Sequence, residues 1–160
     1  SAASDVYKRQ GRSLGFKCKQ PIILVWQPEE SRHTSKYIDD INWQTKISKA
    51  GHRALNNIKS GPWDHSRWDD ILSQSSKFCQ ESELALEDER SKLLALVMGI
   101  VRSVDMQSHV RIRLCMLGTS CVVLPRKLER MLTAAELGLL NTEFAKQGLG
   151  SLITGIDHES

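Results

Sequence analysis

The sequence predicts a mainly α fold, a helical bundle around one long central helix, with at most a short N-terminal strand or a small hairpin beside it. Three observations carry that expectation. Leu84 to Leu117 is the longest apolar-rich stretch of the chain, and Leu86, Leu93, Val97, Ile100, Val101 and Val104 recur in it at steps of three, four and seven, the spacing of one helical face. Two more stripes precede it, Trp43-Ile47-Ala50-Ala54-Ile58 and Trp68-Ile71-Leu72-Ser75-Phe78-Cys79. Near the C-terminus, Thr133-Ala134-Ala135-Glu136 has the form of a capping box, in which an N-cap hydroxyl and an N3 carboxylate satisfy each other's backbone donors.

The chain divides into three parts: residues 1–10, an irregular segment 11–34 with a short strand, and a helical domain 35–155. Ser1 to Gln10, SAASDVYKRQ, resembles the translation of a widely used transposase sequencing adapter, so native sequence is expected from near Gly11 and the first ten residues stand outside the fold. Pro21 to Gln27, PIILVWQ, is β-branched and bounded by prolines, which reads as one buried strand. Its partner is expected in sequence upstream of this chain.

Tyr37-Ile38-Asp39-Asp40 resembles the YxDD turn of reverse transcriptases, where paired carboxylates hold two magnesium ions. That turn needs apolar flanks, and here HTSK precedes it and NWQTK follows. The flanks favour a helix start capped by Asp39 or Asp40. The stripe from Trp43 to Ile58 continues from it, with Lys46, Lys49 and Arg53 along its side, until Ser60-Gly61-Pro62 breaks the helix. Asp64 or Ser66 is the expected N-cap of the helix carrying Trp68. Ser82 and Glu83 are expected to open the central helix. Around Leu93 to Val101 the apolar residues exceed one stripe, which predicts burial on two sides.

After Gln107 the period changes. Val110, Ile112, Leu114 and Met116 alternate with Arg111, Arg113 and Cys115, a strand pattern with both arginines on one face. Gly118-Thr119-Ser120 could turn the chain and Cys121 to Leu124 return as a second strand. The rival is a central helix that continues to Leu117. From Pro125 a short helix is expected, with Leu128, Met131 and Leu132 on one face. Thr133 then caps a final helix, Leu132 and Leu137 form a hydrophobic staple, and Gly148 and Gly150 stop it.

At 160 residues, 40% hydrophobic and 26% charged, the chain is one domain or slightly more, with enough apolar matter for a core. The net charge of +3 is too common to point to nucleic acid. Cys18, Cys79, Cys115 and Cys121 contain no CxxC pair, and His33, His52, His65, His109 and His158 are scattered singly. A structural zinc is therefore not expected, and free thiols in a reducing, intracellular compartment are. The apolar run from Leu93 ends at Arg102, well short of the roughly 20 residues that span a membrane. There is no Gly-rich phosphate loop, GxSxG or HExxH, so no catalytic residue, metal ligand or cofactor is assigned.

Leu124-Pro125-Arg126-Lys127-Leu128, Leu132-Thr133-Ala134-Ala135-Glu136 and Leu139-Leu140 together resemble the end of the helical domain in small subunits of the eukaryotic GINS complex, over about Arg111 to Ile153. Arg111-Ile112-Arg113 falls where that family carries an Arg-rich helix, which tips residues 109–124 towards helix. The resemblance implies a non-enzymatic scaffold of the replicative helicase, working in the nucleus through helix–helix contacts. The expected function is thus a helical scaffold or interaction subunit with a protein partner on its helical faces. The alternatives are a polymerase-like enzyme fragment built on YIDD, and a basic helical module binding nucleic acid through Lys46, Lys49, Arg53, Arg111 and Arg113.

Overall fold

A computed structural model describes residues 18–28, 39–62, 64–115 and 119–156, and these form a mixed α/β fold where a helical bundle was expected. The adapter-like segment, Tyr37, Ile38 and Trp63 lie outside the described residues. The elements are β1 (Pro21–Trp26), α1 (Ile41–Ile58), α2 (Trp68–Glu81), α3 (Asp88–Ser103), β2 (Val110–Leu114), β3 (Ser120–Pro125), α4 (Ala134–Lys146) and β4 (Gly150–Gly155). Short 3-10 turns at His65–Arg67 and Leu84–Leu86 lead into α2 and α3.

The strands make one antiparallel sheet in the order β2-β3-β1-β4. The expected N-terminal strand is therefore interior, and its partners β3 and β4 lie within this chain. Ile23 stands opposite Val123 and Ile153. Pro21 begins β1 and Pro125 ends β3, both beyond the last β1–β3 pair, Ile23 with Val123, and neither can donate a backbone hydrogen bond. The Pro125 carbonyl instead accepts the buried Trp68 indole N–H at 2.9 Å.

One sheet face, with Ile23, Val25, Cys121, Val123 and Val110, packs on Leu93, Val97, Ile100 and Val101 of α3 and on Leu137, Leu140 and Phe144 of α4. On the other face Trp68 and Leu72 of α2 pack with Cys18, Leu128 and Leu124. Helix α1 packs on α2, and of its 18 residues only Ala50 is buried.

The central helix is shorter than its apolar stretch at both ends. It opens at Asp88, not at Ser82 or Glu83: Glu83 takes φ +62° beyond the end of α2, and Leu86 lies exposed in the 3-10 turn. At the other end Asp105 adopts φ +59°, the Asp105 N–H reaches the Arg102 carbonyl and the Met106 N–H the Val101 carbonyl, both at 3.0 Å. That is the Schellman arrangement, and it stops the helix without a glycine. Residues 110–114 and 120–125 are consequently the paired strands β2 and β3 and not helix, as the alternation indicated and the family resemblance did not.

The short helix expected after Pro125 is absent. Pro125 ends β3, residues 127–130 turn, and Leu128 and Leu132 are buried while Met131 points to solvent. Gly148 closes α4 at φ +73° with the same Schellman pair, to Ala145 and Phe144. Gly150 does not stop a helix; it starts β4 opposite Trp26.

Thr133 caps α4. Its hydroxyl accepts the Glu136 N–H at 3.1 Å, and its own N–H donates to the Glu136 carboxylate at 3.0 Å. Arg130 also donates to that carboxylate at 2.9 Å. These hydrogen bonds, Arg130 first, hold the Glu136 carboxyl down from its ordinary 4.5 to about 2. Thr133→Ala should cost about 1 kcal/mol and Thr133→Ser little, because serine keeps the hydroxyl. Because the folded-state pKa is depressed, the Glu136 contribution is complete above about pH 4.5 and fades as pH falls towards 2. Denaturant melts across that window should show a smaller acid loss for Glu136→Gln than for wild type.

Candidate functional site

Strand β2 is an edge of the sheet, and a groove of about 590 Å³ runs along it between α2 and α3. The alternation of β2 builds both flanks. Val110 and Ile112 join the core on the α3 side, while Arg113 reaches α2, its Nε donating to the Leu72 carbonyl at 3.1 Å and the Ser75 hydroxyl at 3.0 Å. The far wall comes from α3: Leu94, Met98, Val101 and Arg102. Cys79 and Gln80 of α2 and Ala85 of the 3-10 turn close one end. A volume of this size, mostly apolar with a few polar groups, is typical of ligand pockets.

The edge itself is guarded. Odd-numbered β2 positions face β3, as the flanking bonds from Arg126 N–H to His109 and from Cys115 N–H to Ser120 show. The backbone of Val110, Ile112 and Leu114 therefore points into the groove. Arg111 Nη1 donates back to the Val110 carbonyl at 2.9 Å, and Arg113 Nη1 to the Ile112 carbonyl at 2.8 Å.

The charge is one-sided. Arg102, Arg111 and Arg113 line the groove, and among the described residues no carboxylate does. Arg102 is exposed and makes no ion pair among the described residues. Burial, and then the neighbouring Arg111, lower the pKa of Arg113. Burial also raises the Cys79 and Cys115 thiols and pushes Cys121 up to about 12. All three remain protonated near neutral pH and are poor nucleophiles.

The residues singled out in the sequence do not converge. Lys46 pairs with Glu83 and lies 5.7 Å from the Trp43 ring, and Arg53 pairs with Glu81. These two ion pairs tie α1 to the end of α2. Lys49 is exposed on α1, away from Arg111 and Arg113 on β2. Asp40 is an N-cap, its carboxylate accepting the Asn42 and Trp43 N–H groups at 2.8 and 3.2 Å; Asp39 is exposed beside it. Among the described residues no three His, Cys, Asp or Glu side chains are placed to hold a metal ion, and no helix is long and apolar enough to cross a membrane.

Sequence reasoning missed Leu94, Met98, Arg102, Cys79 and Gln80. A signal existed. Leu94 and Met98 sit four apart, off the buried stripe of Leu93, Val97 and Ile100, and they are the apolar excess that predicted burial on two sides. That second side is not buried: Leu96 and Met98 are exposed, and Met98, at 45%, stands on the groove wall. A rival surface lies at the opposite edge, where Trp26, Leu152 and Ile153 are exposed around β4. Comparison with family models, curated proteins and solved structures finds no match to this chain.

Proposed function

We propose that this chain is a non-enzymatic interaction subunit, and that the groove along β2 is where its partner binds. One observation carries the proposal: a concave, mainly apolar site bounded by two helices and an edge strand, with three arginines and, among the described residues, no acid in its walls. Met98 on that wall is flexible and polarizable, a side chain suited to a binding surface. The protein thiols beside it are too basic for nucleophilic work, and Asp40 is occupied as a helix cap.

The GINS-like assignment, with work on DNA in the nucleus, is the narrower form of this proposal. The capped helix after Thr133 supports it. Arg111 to Arg113 lying in a strand, and Pro125 to Leu132 forming no helix, count against it. For a nucleic-acid module, Arg111 and Arg113 remain as phosphate contacts, whereas Lys46 and Arg53 are already paired.

The groove is tested with 1-anilinonaphthalene-8-sulfonate, an apolar dye with one anionic group. Its fluorescence should rise and saturate with wild type. Met98→Trp, which fills the groove from a half-exposed position, should remove that signal, and Leu152→Ser on the opposite edge should not. Equal signals from all three proteins would overturn the assignment of the groove.

A further inference from the structure

We infer that the groove takes an acidic amphipathic helix of a partner protein, its apolar stripe against Leu94, Met98 and Ile112 and its carboxylates on Arg102 and Arg111. This rests on the groove being the binding site and names what fills it.

Strand addition is the usual way to use a free sheet edge, and here two of the outward carbonyls are already covered. An added strand needs outward carbonyls and N–H groups. The Val110 and Ile112 carbonyls already accept Arg111 and Arg113. Charged side chains folded over an edge are a known guard against strand pairing. A ligand that brings its own satisfied backbone avoids competing with those arginines, and a helix does so along its whole length. It needs only side-chain contacts from the groove, which the apolar residues supply.

The dimensions agree. The five residues of β2 span roughly 15 Å at about 3.4 Å each, the length of about ten helical residues at 1.5 Å. Two to three turns would place apolar residues at i, i+3 or i+4, and i+7 on the groove floor.

Charge selects the partner. Arg111 and Arg113 stand two residues apart on one strand face, Arg102 faces them from α3, and among the described residues no carboxylate in the groove offsets them. Like charges held together at a half-buried site are relieved by an anionic partner and made worse by a cationic one. Arg102 is the freest of the three, because Arg113 is committed to Leu72, Ser75 and Ile112.

A library of short random peptides, panned against wild type and against Met98→Trp, tests this. Thermal melts first establish that both proteins are folded. Peptides retained by wild type and lost on Met98→Trp should carry net negative charge and apolar residues three and four apart. Arg102→Glu should weaken such a peptide by about tenfold or more, and a version with Lys for each Glu should not bind. Groove-dependent peptides that are neutral or basic, or whose apolar residues alternate, would overturn the helix inference and leave the groove intact. Binding of an oligothymidine that Met98→Trp abolishes would overturn it too, by assigning the arginines to phosphate. No groove-dependent peptide, together with no groove-dependent dye signal, would instead overturn the groove itself.

Discussion

Val97→Asp should abolish the cooperative thermal transition near neutral pH. Val97 has no solvent exposure and sits where α3 meets the sheet and α4. The buried cluster it belongs to includes Ile23, Val25, Val123, Leu140 and Phe144, none of which can pair a charge. Burying an uncompensated carboxylate costs several kcal/mol, a large share of the roughly 5–15 kcal/mol that stabilises a domain. Val97→Ala, which removes methyl groups and adds no charge, should still fold, with a loss of roughly 2 kcal/mol. Circular dichroism melts of the two variants check this. A wild-type melt for Val97→Asp would mean that the core is elsewhere.

Arg90→Ala is the second large effect, at about 3–5 kcal/mol. The Arg90 side chain is fully buried and pairs with Glu87, itself only 12% exposed. Both lie at the first turn of α3, where a cation is unfavourable to the helix dipole and an anion favourable. Arg90 is therefore held there by its partner and not by local preference. Removing it takes the cation away from a mostly buried carboxylate. Arg90→Met keeps much of the volume and should still be costly, whereas Arg90→Met with Glu87→Leu should recover part of the loss, since neither charge then remains. Denaturant titration of the two singles and the double gives the coupling. Additive single effects would show that the pair contributes nothing as a pair.

What was legible in the sequence is local chemistry. The break at Ser60-Gly61-Pro62, the capped start at Asp40, the strand at Pro21 and the Thr133 capping box each depend on a few adjacent residues, and the structure places each of them there. The sheet was not legible, because strand partners are set by distant contacts: Pro21–Trp26 pairs with residues about a hundred positions away. The alternation of Val110 to Leu114 did report a strand, and the family resemblance outweighed it wrongly. β4 was hidden because Gly150, its first residue, read together with Gly148 as a helix stop. Gly150 is needed because the Trp26 indole lies across it, where a Cβ would collide. The candidate site was half legible. Arg111 and Arg113 were identified, but as phosphate contacts, since nothing in their spacing says that each folds back on the preceding carbonyl. Arg90 gave no signal, because a charged residue in a first helical turn ordinarily faces water.

The central claim is that the β2 edge groove, and not the exposed β4 edge, is the binding surface. Backbone amide shifts measured by ¹⁵N–¹H correlation spectroscopy during titration with 1-anilinonaphthalene-8-sulfonate test it most directly. The largest shifts should fall on Ser76, Cys79, Gln80, Leu94, Met98 and Val110 to Leu114, with α1 and β4 nearly still. Largest shifts at Trp26, Leu152 and Ile153, with the groove amides unmoved, would contradict it.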